Sequence, residues 1–144
     1  MNCPFCEDKE VKNRTIVEND LAFAFPTNTP IVPGHILVCP KRHVQYYEDA
    51  TQEEKTAIEE LRHKLKNALK KVFDAQGFNY AWNEEKIGGQ SVPHFHLHIV
   101  PRKEGDQGVY QYEPREFLYR PGPRTVASSH EELNEVVEMI KRAL

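Results

Sequence analysis

Apolar residues recur at spacings of three and four along the middle of the chain. Ile58, Leu61, Leu65, Leu69 and Val72 fall on one helical face, and Thr51-Gln52-Glu53-Glu54 ahead of them has the form of a capping box. Gly77 supplies the expected stop. Ser129-His130-Glu131-Glu132, followed by Leu133, Val136, Val137 and Ile140, predicts a C-terminal helix in the same way. Elsewhere the pattern is that of strands. Thr15-Ile16-Val17 and Leu21-Ala22-Phe23-Ala24-Phe25 flank the turn residues Asn19-Asp20 and predict a hairpin. Pro26 to Gly34 predicts a loop, followed by a strand from His35 to Cys39 that Pro40 ends. Phe78 to Asn83 and His94 to Val100 predict two more strands separated by Gly88-Gly89, with Pro101 ending the second. Residues 1–10 read as an irregular knuckle and 103–125 as an irregular flap before the last helix. Hairpin-linked strands with one long helix inserted predict an α+β fold: an antiparallel sheet of about five strands with helices on one face.

A length of 144 residues fits one domain and therefore one site. The formal net charge of -3 argues against a nucleic-acid partner, which calls for a broad basic surface, but leaves room for a small phosphate ligand. No apolar run approaches the roughly 18 residues needed to span a bilayer, and Met1-Asn2-Cys3 opens without the regions of a signal peptide. No membrane partner is expected, and the cytoplasm is the expected compartment. Three cysteines are too few for a disulfide framework. Cys3-Pro4-Phe5-Cys6 is a close pair suited to metal binding or redox work, whereas Cys39, in the apolar run Ile36-Leu37-Val38-Cys39, reads as a small buried filler.

The chemistry concentrates in His94-Phe95-His96-Leu97-His98. Side chains alternate along a strand, so the three imidazoles share one face and Phe95, Leu97 and Ile99 the other. The apolar triplet faces the core and the histidines face a site. Two other readings stand beside this one: three histidines decorating a solvated face, and three histidines on one catalytic metal. Just upstream, the glycines of Gly88-Gly89-Gln90-Ser91 permit close approach of backbone N–H groups to an anion, and Gln90 and Ser91 add side-chain donors.

Asn83, Gly89-Gln90-Ser91 and His94-Phe95-His96-Leu97-His98-Ile99-Val100 together resemble the signature of the histidine-triad (HIT) family. Pro33-Gly34-His35-Ile36-Leu37-Val38 and Pro40-Lys41-Arg42-His43 are similar to its other characteristic stretch, and Pro101 to Asp106 resembles the fragile-histidine-triad branch, whose members cleave dinucleoside polyphosphates. The resemblance runs from the cysteine pair to about Asp106 and implies a HIT-like fold, a single domain over 1–144 and a homodimer. It implies that His96 attacks the α-phosphate to give a covalent nucleotidyl-histidine, that His98 assists at the phosphate or leaving group, and that Asn83, Gly89, Gln90 and Ser91 position phosphate oxygens. His35 is expected to orient a triad histidine from behind.

In zinc-bearing members two histidines complete the cysteine pair, which here implies a structural zinc on Cys3, Cys6, His43 and His94. Thr27, with Asn28 beside it, stands where family members hold the ribose with Asp or Asn, and one hydroxyl takes fewer hydrogen bonds than a carboxylate. Phe5, Phe23 and Phe25 are candidates for a base pocket, and Arg115, Arg120 and Arg124 for polyphosphate contacts. The activity the resemblance implies is therefore hydrolysis of a dinucleoside polyphosphate, expected to contain adenine, or nucleotidyl transfer by the same residues. The alternatives are hydrolysis of a nucleoside phosphoramidate and nucleotide sensing with incidental turnover.

Overall fold

The structure, a computed structural model, describes residues 3–106 and 127–144. Arg115, Arg120, Arg124 and most of the expected flap lie outside the described residues. The elements are α1 (Pro4–Glu7), α2 (Lys9–Asn13), β1 (Val17–Glu18), β2 (Ala22–Pro26), β3 (Ile36–Pro40), α3 (Gln52–Phe73), β4 (Gly77–Ala81), β5 (Leu97–Arg102) and α4 (His130–Ala143). The five strands form one antiparallel sheet in the order β1-β2-β3-β5-β4, the expected α+β architecture. No helix among the described residues is long and apolar enough to cross a membrane.

Helix α3 starts where its capping box predicts. Thr51 Oγ1 accepts from the Glu54 N–H at 3.1 Å, and Glu54 Oε1 accepts from the Thr51 N–H at 2.9 Å. Arg42 Nε and Nη2 donate to the same carboxylate at 3.2 and 2.8 Å, holding it below the usual carboxylate range and fastening the turn after β3 to the helix. Ile58, Leu61, Leu65 and Leu69 bury against Ala22, Ala24, Ile36, Val38, Leu97 and Ile99 on one face of the sheet, joined by Val137 and Ile140 of α4. Ser129 caps α4 by accepting from the Glu132 N–H. The stop of α3 is Asp74, left-handed at φ 53°, and Gly77 instead opens β4; a short polar side chain tolerates that conformation.

Several boundaries differ from the sequence pattern. The N-terminal knuckle is two short helices, and with Phe23, Phe25, Leu37 and Cys39 they make a second apolar layer on the opposite sheet face. Cys39 is fully buried in that layer. Strand β1 is only Val17–Glu18, and β4 ends at Ala81, before Asn83. His94, Phe95 and His96 precede β5, because the Phe95 N–H donates to the Val44 carbonyl at 2.6 Å, in the turn after β3, and not to a neighbouring strand. Pro101 does not end β5. The Arg102 carbonyl accepts from Gln76 on the β4 side, so the nitrogen of Pro101 turns the other way, past Ile36, where β3 has ended.

Gly34 joins the proline-rich loop to β3 at φ +92°, and a Cβ there would lie 3.0 Å from both Phe73 Cδ2 and Pro101 Cγ. Gly34→Ala is expected to destabilise the protein by about 2 kcal/mol, combining left-handed backbone with overpacking. An unchanged midpoint in denaturant unfolding would contradict this reading of the turn.

Candidate active site and metal centre

His94 is fully buried ahead of β5, and each of its polar groups is committed. Its Nε2 lies 2.8 Å from the Pro40 carbonyl. A carbonyl only accepts, so Nε2 carries the hydrogen and Nδ1 offers its lone pair. That nitrogen faces Cys3 Sγ at 3.4 Å and Cys6 Sγ at 3.5 Å, while His43 Nδ1 lies 3.5 Å from Cys6 Sγ. The four donor atoms of Cys3, Cys6, His43 and His94 fall within 4.8 Å of one another. Metal–sulfur and metal–nitrogen bonds of about 2.3 and 2.0 Å in a tetrahedron put neighbouring sulfur and nitrogen donors about 3.5 Å apart. The cluster therefore has the size of a closed tetrahedral metal site. Burial pushes the His94 pKa down to about 4, keeping the ring a neutral ligand. Burial and the adjacent Cys3 push the Cys6 thiol up to about 11, so with protons alone Cys6 stays neutral, and a cation would be needed to hold its thiolate there.

The two remaining histidines of the run are fixed in opposite tautomers. His96 Nδ1 lies 2.8 Å from the His94 carbonyl and so carries hydrogen, leaving the lone pair on Nε2. For His98 the order is reversed through His35. The Ile31 N–H donates to His35 Nδ1 at 3.1 Å, which places hydrogen on His35 Nε2. That nitrogen donates to His98 Nδ1 at 2.9 Å, and His98 Nε2 becomes the N–H side. Both rings line one cleft of about 330 Å³. One ring therefore offers a nucleophilic or accepting nitrogen and its neighbour, with ring centroids 5.0 Å apart, an N–H donor.

The cleft gathers part of the predicted set. Thr27, Asn28, Ser91, Phe5 and Phe25 line it with His96 and His98. The ring of Phe5 stands edge-on to His96, with centroids 5.1 Å apart, and to Phe25 at 5.2 Å. Phe23 stacks behind Phe25 and does not reach the cleft. Thr27 Oγ1 accepts from the Thr29 N–H at 3.4 Å, and Asn28 is tied by its carbonyl to the Ser128 N–H at 2.8 Å.

Gln90 is not brought to the cleft. It is buried, its Nε2 donates to the Gln45 carbonyl at 3.1 Å, and its Oε1 accepts from the Glu85 N–H at 3.1 Å and from Gln45 Nε2 at 3.3 Å. Asn83 Nδ2 donates to the Gly89 carbonyl at 3.3 Å, with Gly89 left-handed at φ 97°, so this pair also braces the loop that presents Ser91. Sequence reasoning passed over Arg14, which is buried in the cleft wall, because it stands in the polar stretch Lys9 to Arg14 that reads as a solvated face. Gln45 has no motif around it in the sequence; only its pairing with Gln90 marks it.

A family model described as the HIT domain matches residues 8–105. The bis(5'-adenosyl)-triphosphatase of Dictyostelium discoideum is 39% identical over 87 residues, 60% of this chain; the match spans 58% of that relative's length. A Hit-like protein from Bartonella henselae, described as involved in cell-cycle regulation, superposes with a TM-score of 0.79 at 30% identity, covering 99% of this chain and 96% of that one. A Zn-bound histidine triad family protein from Mycobacterium smegmatis superposes with a TM-score of 0.73 at 26% identity, covering 99% and 93%.

Removing the Gln90 amide leaves the Gln45 carbonyl and the Glu85 N–H without their partner. Gln90→Ala is expected to destabilise the fold by about 2 kcal/mol, read by denaturant unfolding. A loss of activity with no loss of stability would instead place Gln90 at the substrate.

Proposed function

The chain belongs to the HIT domain family, and from that premise we propose that it hydrolyses a dinucleoside polyphosphate at the α-phosphate by way of a nucleotide held transiently on His96. The observation that carries this reading is the pair of opposed tautomers in one cleft, His96 with its lone pair on Nε2 and His98 with its N–H. The name of the Dictyostelium relative supports the substrate class.

In the proposed reaction His96 Nε2 attacks the α-phosphorus. A nitrogen–phosphorus bond forms and the bond to the bridging oxygen breaks. His98 Nε2–H donates a hydrogen bond to that oxygen, stabilising the negative charge it gains as the polyphosphate-bearing nucleotide departs as an anion. The positive charge gained by the His96 ring is met by the His94 carbonyl through Nδ1–H. Water then attacks the same phosphorus, the nitrogen–phosphorus bond breaks to return His96 to its neutral form, and the proton released by water passes to solvent. Ser91 on the cleft wall is suited to donate to a phosphate oxygen, and Thr27 to hold a ribose hydroxyl.

The metal assigned to Cys3, Cys6, His43 and His94 is zinc, on the strength of the donor set and the Zn-bound mycobacterial relative. A zinc ion there would clamp the N-terminal helices to the segment that carries His96. It is structural in this reading, and no step passes through it.

Rapid quenching in a single turnover of diadenosine triphosphate is expected to yield protein heavier by one nucleoside monophosphate, and His96→Ala to lower turnover by about 10³-fold or more. Undiminished hydrolysis by the variant would overturn the proposal. Metal analysis is expected to find one zinc per chain, lost together with much of the thermal stability in a Cys3→Ala/Cys6→Ala variant. Metal-free protein that is fully folded would remove zinc from the account.

A further inference from the structure

Arg14 closes α2 as its C-cap and lies just ahead of β1. The residue is only 5% exposed, yet its Nε has no hydrogen-bond partner among the described residues. A buried N–H donor without a partner is costly unless a ligand completes it, and Arg14 forms part of the wall of the histidine cleft. Its position within that cleft follows from the sheet. Phe25, Leu37 and His98 are register partners across β2, β3 and β5, and so form one row beneath the cleft. Strands lie about 4.8 Å apart, so the β1 edge that Arg14 adjoins is about 14 Å from the strand carrying His98. A nucleotide whose α-phosphate meets His96 and His98 would lie along this row over Leu37 and Phe25, with Thr27 beside it, and end at Arg14.

The chemistry of that end suits a nucleobase better than a second phosphate. Phe5, Val11 and Phe25 give it apolar walls. Asp8 and Glu10 also line it and bear on Arg14 electrostatically, and their negative charge disfavours a further phosphate. A guanidinium has donors only, and the base edge that answers it is one with two adjacent acceptors: O6 and N7 of a 6-oxopurine. Adenine offers N7 but sets an amino donor against the guanidinium where guanine has its oxygen.

We propose that Arg14 is the base-reading residue of the cleft and gives it a preference for 6-oxopurine nucleotides, guanine or hypoxanthine, over adenine. The proposal rests on the nucleotide orientation assigned above, with phosphate at the histidines. Its test is equilibrium binding of GMP, IMP and AMP to the full chain, which needs no turnover. Wild type is expected to bind GMP and IMP about tenfold more tightly than AMP, the discrimination typical of a bidentate arginine contact. Arg14→Met is expected to abolish that preference while leaving AMP affinity within about twofold, and Arg14→Lys to restore only part of it. The Met variant is expected to melt no lower than wild type, since it removes a buried Nε–H that lacks a hydrogen-bond partner among the described residues.

Equal binding of the three nucleotides by wild type would overturn the proposal. So would an equal loss of GMP and AMP affinity in Arg14→Met, which would mark a phosphate or purely structural role. An oxopurine preference that survives in the absence of any hydrolysis of diguanosine or diadenosine triphosphate would overturn the hydrolase reading alone and leave this one standing.

Discussion

The arrangement depends on the immobilisation of His94. Its Nε2–H is held by the Pro40 carbonyl at the end of β3, its Nδ1 is turned to the two cysteine sulfurs, and its own carbonyl takes the Nδ1–H of His96. One buried residue thus joins the sheet, the metal-sized cluster and the His96 ring. Rotation of the His94 ring would break its bond to Pro40 and disperse the donor set, and any shift of its backbone would move the carbonyl that fixes the His96 tautomer. In the proposed reaction the cluster takes no step, yet it bears on the chemistry by setting where the lone pair of His96 points.

The fold supports this point from both faces of the sheet. On one, α3 and α4 bury the apolar residues that alternate with the histidines, including Phe95, Leu97 and Ile99. On the other, α1 and α2 bring Cys3, Cys6 and Phe5 against the histidine run and Arg14 to the far end of the cleft. The Arg42–Glu54 pair ties the turn bearing His43 to the start of α3, so the capping of the long helix and the placing of a cluster residue share one carboxylate. The loop before the histidines is braced from within by Gln90, Gln45 and Asn83, which leaves Ser91 at the cleft.

Features set by local spacing were legible in the sequence. The capping box and the three- and four-residue recurrence specify α3, and the alternation in His94 to His98 separates core from site even though only Leu97 and His98 of that run lie in β5. Features that depend on a distant partner were not legible. The Phe95 N–H pairs with Val44, 51 positions away in the chain by the numbering, and so delays the strand. Gln90 has the side chain of a phosphate donor but gives its amide to Gln45 and Glu85. Arg14 sits among charged residues that are exposed, and only the packing of α2 against the site face buries it. The resemblance to a family supplied the expected zinc ligands, and the structure brings those four donor atoms together.

The proposed reaction depends most directly on the tautomer of His96. Nitrogen-15 correlation spectra of the imidazoles in labelled, metal-loaded protein at neutral pH report which ring nitrogen bears hydrogen. The prediction is a neutral His96 protonated on Nδ1, with Nε2 as the lone-pair nitrogen, beside a His98 protonated on Nε2. A His96 protonated on Nε2 would contradict it, because the nitrogen turned to the cleft would then be a donor with no lone pair to offer phosphorus.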